Sequence, residues 1–250
     1  MSGLVYDDQI QETADLLRSA KRTIAFTGAG ISVESGIPPF RGPDGLWAKY
    51  DPQVLSIDYF FRFPEEAWRG ISEIFYKHFQ EARPNAAHLL LARMEKNNLL
   101  SRIITQNIDG LHQKAGSTEV VEYHGSSQRL VCTQCGDYMA FYQEILQTLP
   151  PQCGKCGGLL KPDFIFFGEM IPEKANIEST RETRIADVWI VIGTTGEVVP
   201  ASMLPWEAKS HKAAIVEINP HPSAYTEMVT DIFLQGTAVE IAQMLEKALF

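Results

Sequence analysis

The chain has no apolar run approaching the roughly 20 residues needed to cross a bilayer, so no membrane-spanning helix is expected. It is short of basic side chains. Its 22 Lys and Arg face 31 Asp and Glu, and the net charge of −9 argues against nucleic acid or an anionic membrane as partner while suiting a basic peptide. Residues 1–22 lack a basic leader followed by an apolar core. Instead Ile10, Ala14, Leu16 and Leu17 keep the period of an amphipathic helix, and a soluble, cytoplasmic protein is the expectation. Internal repeats and low-complexity segments are also missing. Cysteine is scarce, four in 250 residues, and all four fall between 132 and 156. With 45% hydrophobic and 21% charged residues, the composition is that of a globular chain with one large domain, or one domain carrying a small insert.

Apolar, β-branched runs recur at 23–27, 101–105, 120–122, 164–167, 187–192 and 214–218. Helix-like stretches at 85–96, 201–209 and 237–249 lie between or after them. Strands alternating with helices predict an α/β fold, a mostly parallel sheet covered on both faces, with its ligand at the strand C-terminal ends. Two stretches break the alternation. Residues 37–84 are rich in proline and aromatics, and residues 128–161 hold every cysteine; both read as insertions that build a smaller lobe. The sheet domain is then made of 1–36, 85–127 and 162–250.

The first strand runs into Gly28-Ala29-Gly30, where missing side chains let backbone N–H groups close on a phosphate at a helix start. Two parts of the usual dinucleotide fingerprint are absent. Val33 stands where a third glycine would let helix and strand pack closely, and Asp51 follows a Pro/Gly/aromatic stretch rather than ending a second strand. This is not the ordinary dehydrogenase turn. It is followed by Phe40-Arg41-Gly42 between prolines, which reads as a rigid cofactor lid with one ring and one permanent cation.

The cysteines form two Cys-x-x-Cys pairs, Cys132/Cys135 and Cys153/Cys156, separated by 17 residues. Each tight knuckle sets two thiolates on one edge of a tetrahedron, the pattern of a single structural zinc. Disulfides are disfavoured in a cytosolic chain, and a redox pair does not account for two matched knuckles. Four thiolates close the coordination sphere and leave no place for an activated water, so this metal holds structure. A nucleic-acid-binding ribbon is expected to be more basic than 128–161.

The remaining strand ends are polar. Gln106-Asn107-Ile108-Asp109 offers amides and an acid that can hold a ribose hydroxyl or a carboxamide, although taken alone it reads equally well as a polar loop with a helix cap. His124 ends another strand just before the cysteine insert and can act as a base near neutral pH. His78, His88, His112, His211 and His221 read by default as helix-surface or loop-packing residues. Phe167-Gly168-Glu169, Gly193-Thr194-Thr195-Gly196-Glu197-Val198 and Asn219-Pro220-His221 end further strands, leaving a trough along the sheet.

Gly28-Ala29-Gly30-Ile31-Ser32, Phe40-Arg41-Gly42, Gln106-Asn107-Ile108-Asp109, His124-Gly125, the four cysteines, Phe167-Gly168-Glu169 and Asn219-Pro220 resemble, in order and spacing, the sirtuins, the NAD-dependent protein deacylases. The resemblance covers about 20 to 240. It implies a Rossmann-like domain with a zinc-bearing small domain, and a cleft between them that takes NAD and an acyl-lysine peptide or protein. On that basis Gly28, Ala29 and Gly30 would contact the pyrophosphate, with Glu34, Phe40, Arg41 and Trp47 also in the cofactor group. Gln106, Asn107, Ile108 and Asp109 would line the ribose and nicotinamide pocket. Gly193, Thr194 and Thr195 would sit by ribose or phosphates, and Asn219, Pro220, His221 and Ala238 at the adenosine half. Phe167, Gly168, Glu169, Glu197 and Val198 would sandwich the peptide as an added strand. His124, with Asn107 beside it in the catalytic group, would be the general base, acting on a ribose hydroxyl after the acyl oxygen has displaced nicotinamide. The products implied are free lysine, nicotinamide and 2′-O-acyl-ADP-ribose. A monomer with no nucleic-acid or membrane partner is expected.

Family members that prefer succinyl or malonyl groups carry Tyr-x-x-Arg on a small-domain helix. Residues 68–78 have no such pair, and Tyr59 and Arg62, which have the spacing, lie too far upstream. The resemblance therefore implies an apolar pocket for acetyl or a longer neutral acyl group. ADP-ribosyl transfer to protein at the same NAD site, and non-catalytic ADP-ribose binding, are the alternatives.

Overall fold

The computed structural model describes residues 2–40 and 45–250. Among the described residues, six strands form one parallel sheet: β1 (Thr23–Thr27), β2 (Arg102–Thr105), β3 (Val120–Glu122), β7 (Val188–Ile192), β8 (Ala214–Asn219) and β9 (Ile232–Gln235), in the order β3-β2-β1-β7-β8-β9. The other three strands, β4 (Gly125–Cys132), β5 (Tyr138–Ala140) and β6 (Leu160–Phe164), form an antiparallel sheet in the order β5-β4-β6. Among the described residues the α-helices in chain order are α1 (Ser2–Ser19), α2 (Leu46–Lys49), α3 (Ile57–Arg62), α4 (Pro64–Ile71), α5 (Lys77–Glu81), α6 (Ala86–Lys96), α7 (Leu111–Ala115), α8 (Glu173–Ile185), α9 (Met203–Ser210) and α10 (Ala238–Leu249).

Alternation along the strands sorts side chains onto two cores, because successive residues point to opposite faces. Ala25, Ile103, Ile190 and Val216 pack with Ile10, Ala14 and Leu17 of α1, Leu91 and Met94 of α6, and Ile241 and Leu245 of α10. Ile24, Phe26, Trp189, Val191 and Ile215 pack on the opposite face with Leu204 and Ala208 of α9. With both faces covered, the central strands read as continuous apolar runs, and β1 and β7 are buried along their whole length. A third core joins the antiparallel sheet to the helices of 46–81, through Phe60, Trp68, Phe75, Phe79, Leu130, Leu160, Phe164 and Phe166.

The apolar run at 164–167 is not a strand of the parallel sheet. Pairing stops at Phe164, after which the Ile165 N–H turns to the His124 carbonyl and Phe167 makes an isolated bridge with Ser56. Its apolar character comes from Phe164 and Phe166 entering the third core.

The strand order sets where a ligand can sit. From β1 the chain moves outward to β2 and β3, then crosses back to β7 and moves outward the other way, so the switch point lies between the C-terminal ends of β1 and β7. Gly28 follows β1 there, and Gly193 follows β7.

Candidate active site

At the switch point the two loops touch backbone to backbone. The Gly28 N–H donates to the Ile192 carbonyl at 2.9 Å, and the Gly30 N–H to the Gly193 carbonyl at 2.8 Å. A Cβ on Gly30 would lie 2.5 Å from the Gly193 Cα, and one on Gly28 would lie 2.7 Å from the Gly193 oxygen. These glycines therefore permit a close approach of two strand ends, and two of the three N–H groups in the turn are taken up by that approach rather than left for a phosphate. The missing third glycine has a structural reason. Residues Ala29–Ser35 form a 3₁₀ helix in place of the expected α-helix start, and Val33 is exposed on it, so no close helix–strand packing occurs at that position.

Behind the turn lies a buried polar cluster. Ser32 Oγ donates to Asp109 Oδ2 at 2.7 Å, and Asn107 Nδ2 reaches the Gly28 carbonyl at 3.0 Å and Ser32 Oγ at 3.3 Å. Asp109 also accepts from the Leu111 N–H at 2.8 Å, and its burial raises the carboxyl pKa against those hydrogen bonds. His88 Nε2 is 3.5 Å from Ser32 Oγ, and its Nδ1 is 3.1 Å from Asn85 Oδ1, the N-cap of α6. His112 Nε2 meets Thr27 Oγ1 at 2.9 Å, and the two imidazoles stand 5.0 Å apart. The surface or loop role expected of His88 and His112 is thus wrong: both are buried. Burial pushes the His88 pKa down to about 4 and that of His112 well below its ordinary value, so both are neutral near pH 7. Ser32, Asn85, His88 and His112 escaped the sequence reading as site residues. The signal was present in Ser32 directly after the glycine turn and in Asn85-Ala86-Ala87-His88, a helix cap whose third helical residue is polar on an otherwise apolar face.

The other predicted residues fall into separate groups. Gln106 Nε2 donates to Thr194 Oγ1 at 3.2 Å and Asn219 Nδ2 to the Thr194 carbonyl at 3.1 Å, which joins the ends of β2, β7 and β8. Glu34 accepts from Thr237 Oγ1 and the Val239 N–H at the start of α10, where Ala238 is the first helical residue. Pro220 offers its carbonyl to Gln235, while His221 is exposed. Phe40, Trp47 and Phe167 form an aromatic chain with centroid separations of 5.4 and 6.2 Å. Arg41 lies outside the described residues. A small cavity between this chain and the polar cluster is lined by Ala29, Ser32, Phe40, Phe75, Phe79, Asn107, Ile108 and Asp109. Thr195 Oγ1 contacts Glu197, and Val198 is partly exposed on the same loop.

His124 is half-buried beyond the end of β3, with Nδ1 3.1 Å from the Gln106 carbonyl. A carbonyl can only accept, so Nδ1 carries the proton and Nε2 keeps its lone pair. Burial lowers the His124 pKa, opposed by that hydrogen bond, and the ring is therefore more fully neutral at pH 7 than a free histidine.

The loop after β6 is held from inside by Lys161. Its ammonium donates to the Pro162 and Phe164 carbonyls at 3.0 and 2.8 Å and to Glu169 Oε2 at 3.0 Å, and lies 4.4 Å from the centre of the Phe166 ring. Glu169 also accepts from the Phe166 N–H at 2.8 Å. Its carboxylate is therefore turned inward as a brace, while Phe167 and Gly168 are the exposed part of the loop. Burial pushes the Lys161 pKa down and the Glu169 carboxylate opposes it.

The four cysteines converge. Their sulfurs lie within 4.8 Å of one another, with 3.5 Å between Cys132 and Cys156 and 3.9 Å between Cys135 and Cys153. Zinc–sulfur bonds of about 2.3 Å imply a tetrahedron with edges of about 3.8 Å, so the donor set fits one zinc ion. Gly158 is required beside it, since a Cβ there would lie 2.9 Å from Cys132 Sγ.

A profile of the Sir2 family matches residues 28–200. The NAD-dependent protein deacylase of Aeropyrum pernix is 44% identical over 243 residues, covering 97% of this chain and 98% of its own length. NAD-dependent protein deacylase 2 of Pyrobaculum aerophilum is 45% identical over 237 residues, covering 93% and 92%. Among solved structures, a Sir2–p53 peptide–NAD+ complex superposes with a TM-score of 0.86 at 35% identity, covering 94% of this chain and 96% of that one. Another, with a deacetylated p53 peptide and 3′-O-acetyl ADP ribose, gives 0.90 at 35% identity and covers 95% and 97%.

Proposed function

We infer that this chain, which belongs to the Sir2 family, is an NAD-dependent protein-lysine deacylase. NAD is the co-substrate and supplies an electrophilic ribose carbon with nicotinamide as leaving group. The observation that carries the reading is the placement of His124. Its protonated Nδ1 is fixed by the carbonyl of Gln106, the residue next in the chain to Asn107 of the buried Ser32–Asn107–Asp109 cluster.

In this reading Nε2 of His124 takes a proton from a ribose hydroxyl, which needs the neutral imidazole. Asn107 and Asp109, with Ser32 between them, hold fixed donors and acceptors toward the pocket that Phe40 and Ile108 cover. Phe40, Trp47 and Phe167 exclude water from the bond that breaks. The turn at Gly28, Ala29 and Gly30, with Gly193, Thr194 and Thr195, takes the pyrophosphate and its ribose, Gly28 and Gly30 serving by close approach rather than by their own N–H groups. Asn219, Pro220, His221 and Ala238 take the adenosine half, with Glu34 beside them. The peptide adds as a strand between Phe167–Gly168 and Glu197–Val198, and the Lys161–Glu169 brace holds the first of these edges.

The Tyr59 hydroxyl is bonded to Glu66 and Arg62 is exposed, so neither is placed to receive an acyl carboxylate, and residues 68–78 carry no Tyr-x-x-Arg pair. A succinyl carboxylate would be desolvated without a partner. An acetyl-lysine peptide is therefore expected to be turned over at least about tenfold faster, in kcat/KM, than its succinyl counterpart. Parallel assays of the two peptides with NAD check this, and faster desuccinylation would contradict it.

A further inference from the structure

Glu217 is a fully buried carboxylate in the middle of β8, flanked in register by Val191 and Phe233. Among the described residues no Lys or Arg pairs with it. Three neutral donors hold it instead: Asn219 Nδ2 at 3.0 Å on Oε1, and Thr226 and Thr230 Oγ1 at 2.9 and 2.8 Å on Oε2. An unpaired buried carboxylate is costly and is tolerated only when hydrogen-bonded. The effect of this one falls on Asn219. One N–H of the Asn219 amide goes to Glu217, and Nδ2 also reaches the Thr194 carbonyl at 3.1 Å. Two acceptors around Nδ2 leave no ambiguity about which way the amide points. Oδ1 is what remains for a ligand, and it can only accept.

The start of α10 is tied to the same strand end, since the Gly236 N–H donates to the Asn219 carbonyl at 3.0 Å. A helix N-terminus is ordinarily a seat for phosphate. Here Glu34 accepts from the Val239 N–H at 3.0 Å, and Glu240 from the Thr237 N–H at 3.1 Å. Two carboxylates thus fill the place an anion would take.

We propose that Glu217 is a positioning residue for co-substrate selection. By turning Asn219 into an acceptor-only group beside the carboxylate-capped α10, it makes this end of the site take a free ribose diol and refuse a 2′-phosphate. The inference rests on the adenosine half lying at Asn219. A hydroxyl donates to Oδ1, whereas a 2′-phosphate at neutral pH has little proton to give and meets two negative charges. The co-substrate is then NAD and not its 2′-phosphorylated form.

The test is calorimetric titration of the full-length protein with ADP-ribose and with ADP-ribose 2′-phosphate. Wild type is expected to prefer ADP-ribose by about 30-fold or more, the scale of one lost hydrogen bond to a charged or buried partner plus repulsion. Glu217→Gln, which removes one of the two acceptors that fix Nδ2 and puts there an amide that can itself donate to Oδ1, is expected to narrow that preference by about tenfold. Glu34→Gln, a surface change that does not touch the core, is expected to narrow it as well, through tighter binding of the 2′-phosphate. A merely structural Glu217 would weaken both ligands together and leave the ratio unchanged, which would overturn the proposal. So would wild type binding the two ligands within about threefold of each other. If wild type binds neither ligand, the NAD reading itself falls, and the proposal with it.

Discussion

Replacing His124 with alanine is expected to lower NAD-dependent deacylation by about 10²–10⁴-fold, the usual contribution of a positioned general base. ADP-ribose binding should persist, because His124 donates to a backbone carbonyl that survives its removal and Gln106 stays anchored to Thr194. His124→Tyr is expected to be equally inactive. The wild-type pH profile carries the same assignment. The acidic limb of kcat/KM should lie below the 6.5 of an ordinary histidine, since burial lowers the His124 pKa. Activity is full above that lowered value and is lost as pH falls through it, when the imidazole gains the proton it must be free to accept. Steady-state assays with titration of ADP-ribose check both statements, and substantial turnover by the alanine variant would remove His124 from the role of base.

The second large effect is expected at the cysteines. Cys132→Ala should lose stoichiometric zinc and unfold the β4-β5-β6 sheet, because a structural zinc contributes on the order of 10 kcal/mol to the folding of small modules. The damage should reach the chemistry without any catalytic role for the metal. β4 begins beside His124 and ends at Cys132, and the Ile165 N–H bonds the His124 carbonyl, so the base is braced by the sheet that the zinc closes. Metal analysis and amide exchange over residues 125–164 read this directly. Expected are loss of the ion and of protection in that segment, with the parallel sheet still protected. A full equivalent of zinc in the variant would count against four-cysteine ligation.

How far the sequence could be read follows the physics of each segment. β1 and β3 are found where the apolar runs place them, and β7 and β8 within a residue, because strands buried on both faces leave little choice of residue type. β9 was missed, being four residues long behind the turn-rich stretch 220–230. β4 was missed because its pairing with β6 slips between Gly125 and Leu130, which breaks the alternation that marks a strand. The run at 164–167 misled for the opposite reason: its aromatics are apolar because they fill the third core, whereas Phe167 makes only an isolated bridge.

The site divides along similar lines. Residues with an unusual local chemistry, such as the glycine turn, the two Cys-x-x-Cys knuckles and the amide-acid strand end, stand out in the chain and lie at strand ends or in one cluster in the fold. Those that depend on long-range burial do not stand out. Apart from the cap that precedes it, nothing local distinguishes His88 from His78, yet one is sealed against Ser32 and the other is only half-buried on α5. Lys161 and Glu217 were silent for the same reason: a charge held inside by carbonyls or hydroxyls from elsewhere has no sequence signature. Glu169 shows the converse, since it stands in a legible motif but points inward to Lys161.

NAD-dependent removal of an acyl group from lysine is tested most directly by mass spectrometry of an acetyl-lysine peptide incubated with the protein, with and without NAD. The expected result is a peptide that loses its acetyl group only when NAD is present, together with nicotinamide and an acetylated ADP-ribose. An unchanged peptide, or a peptide that keeps its acetyl group and gains ADP-ribose, would contradict it.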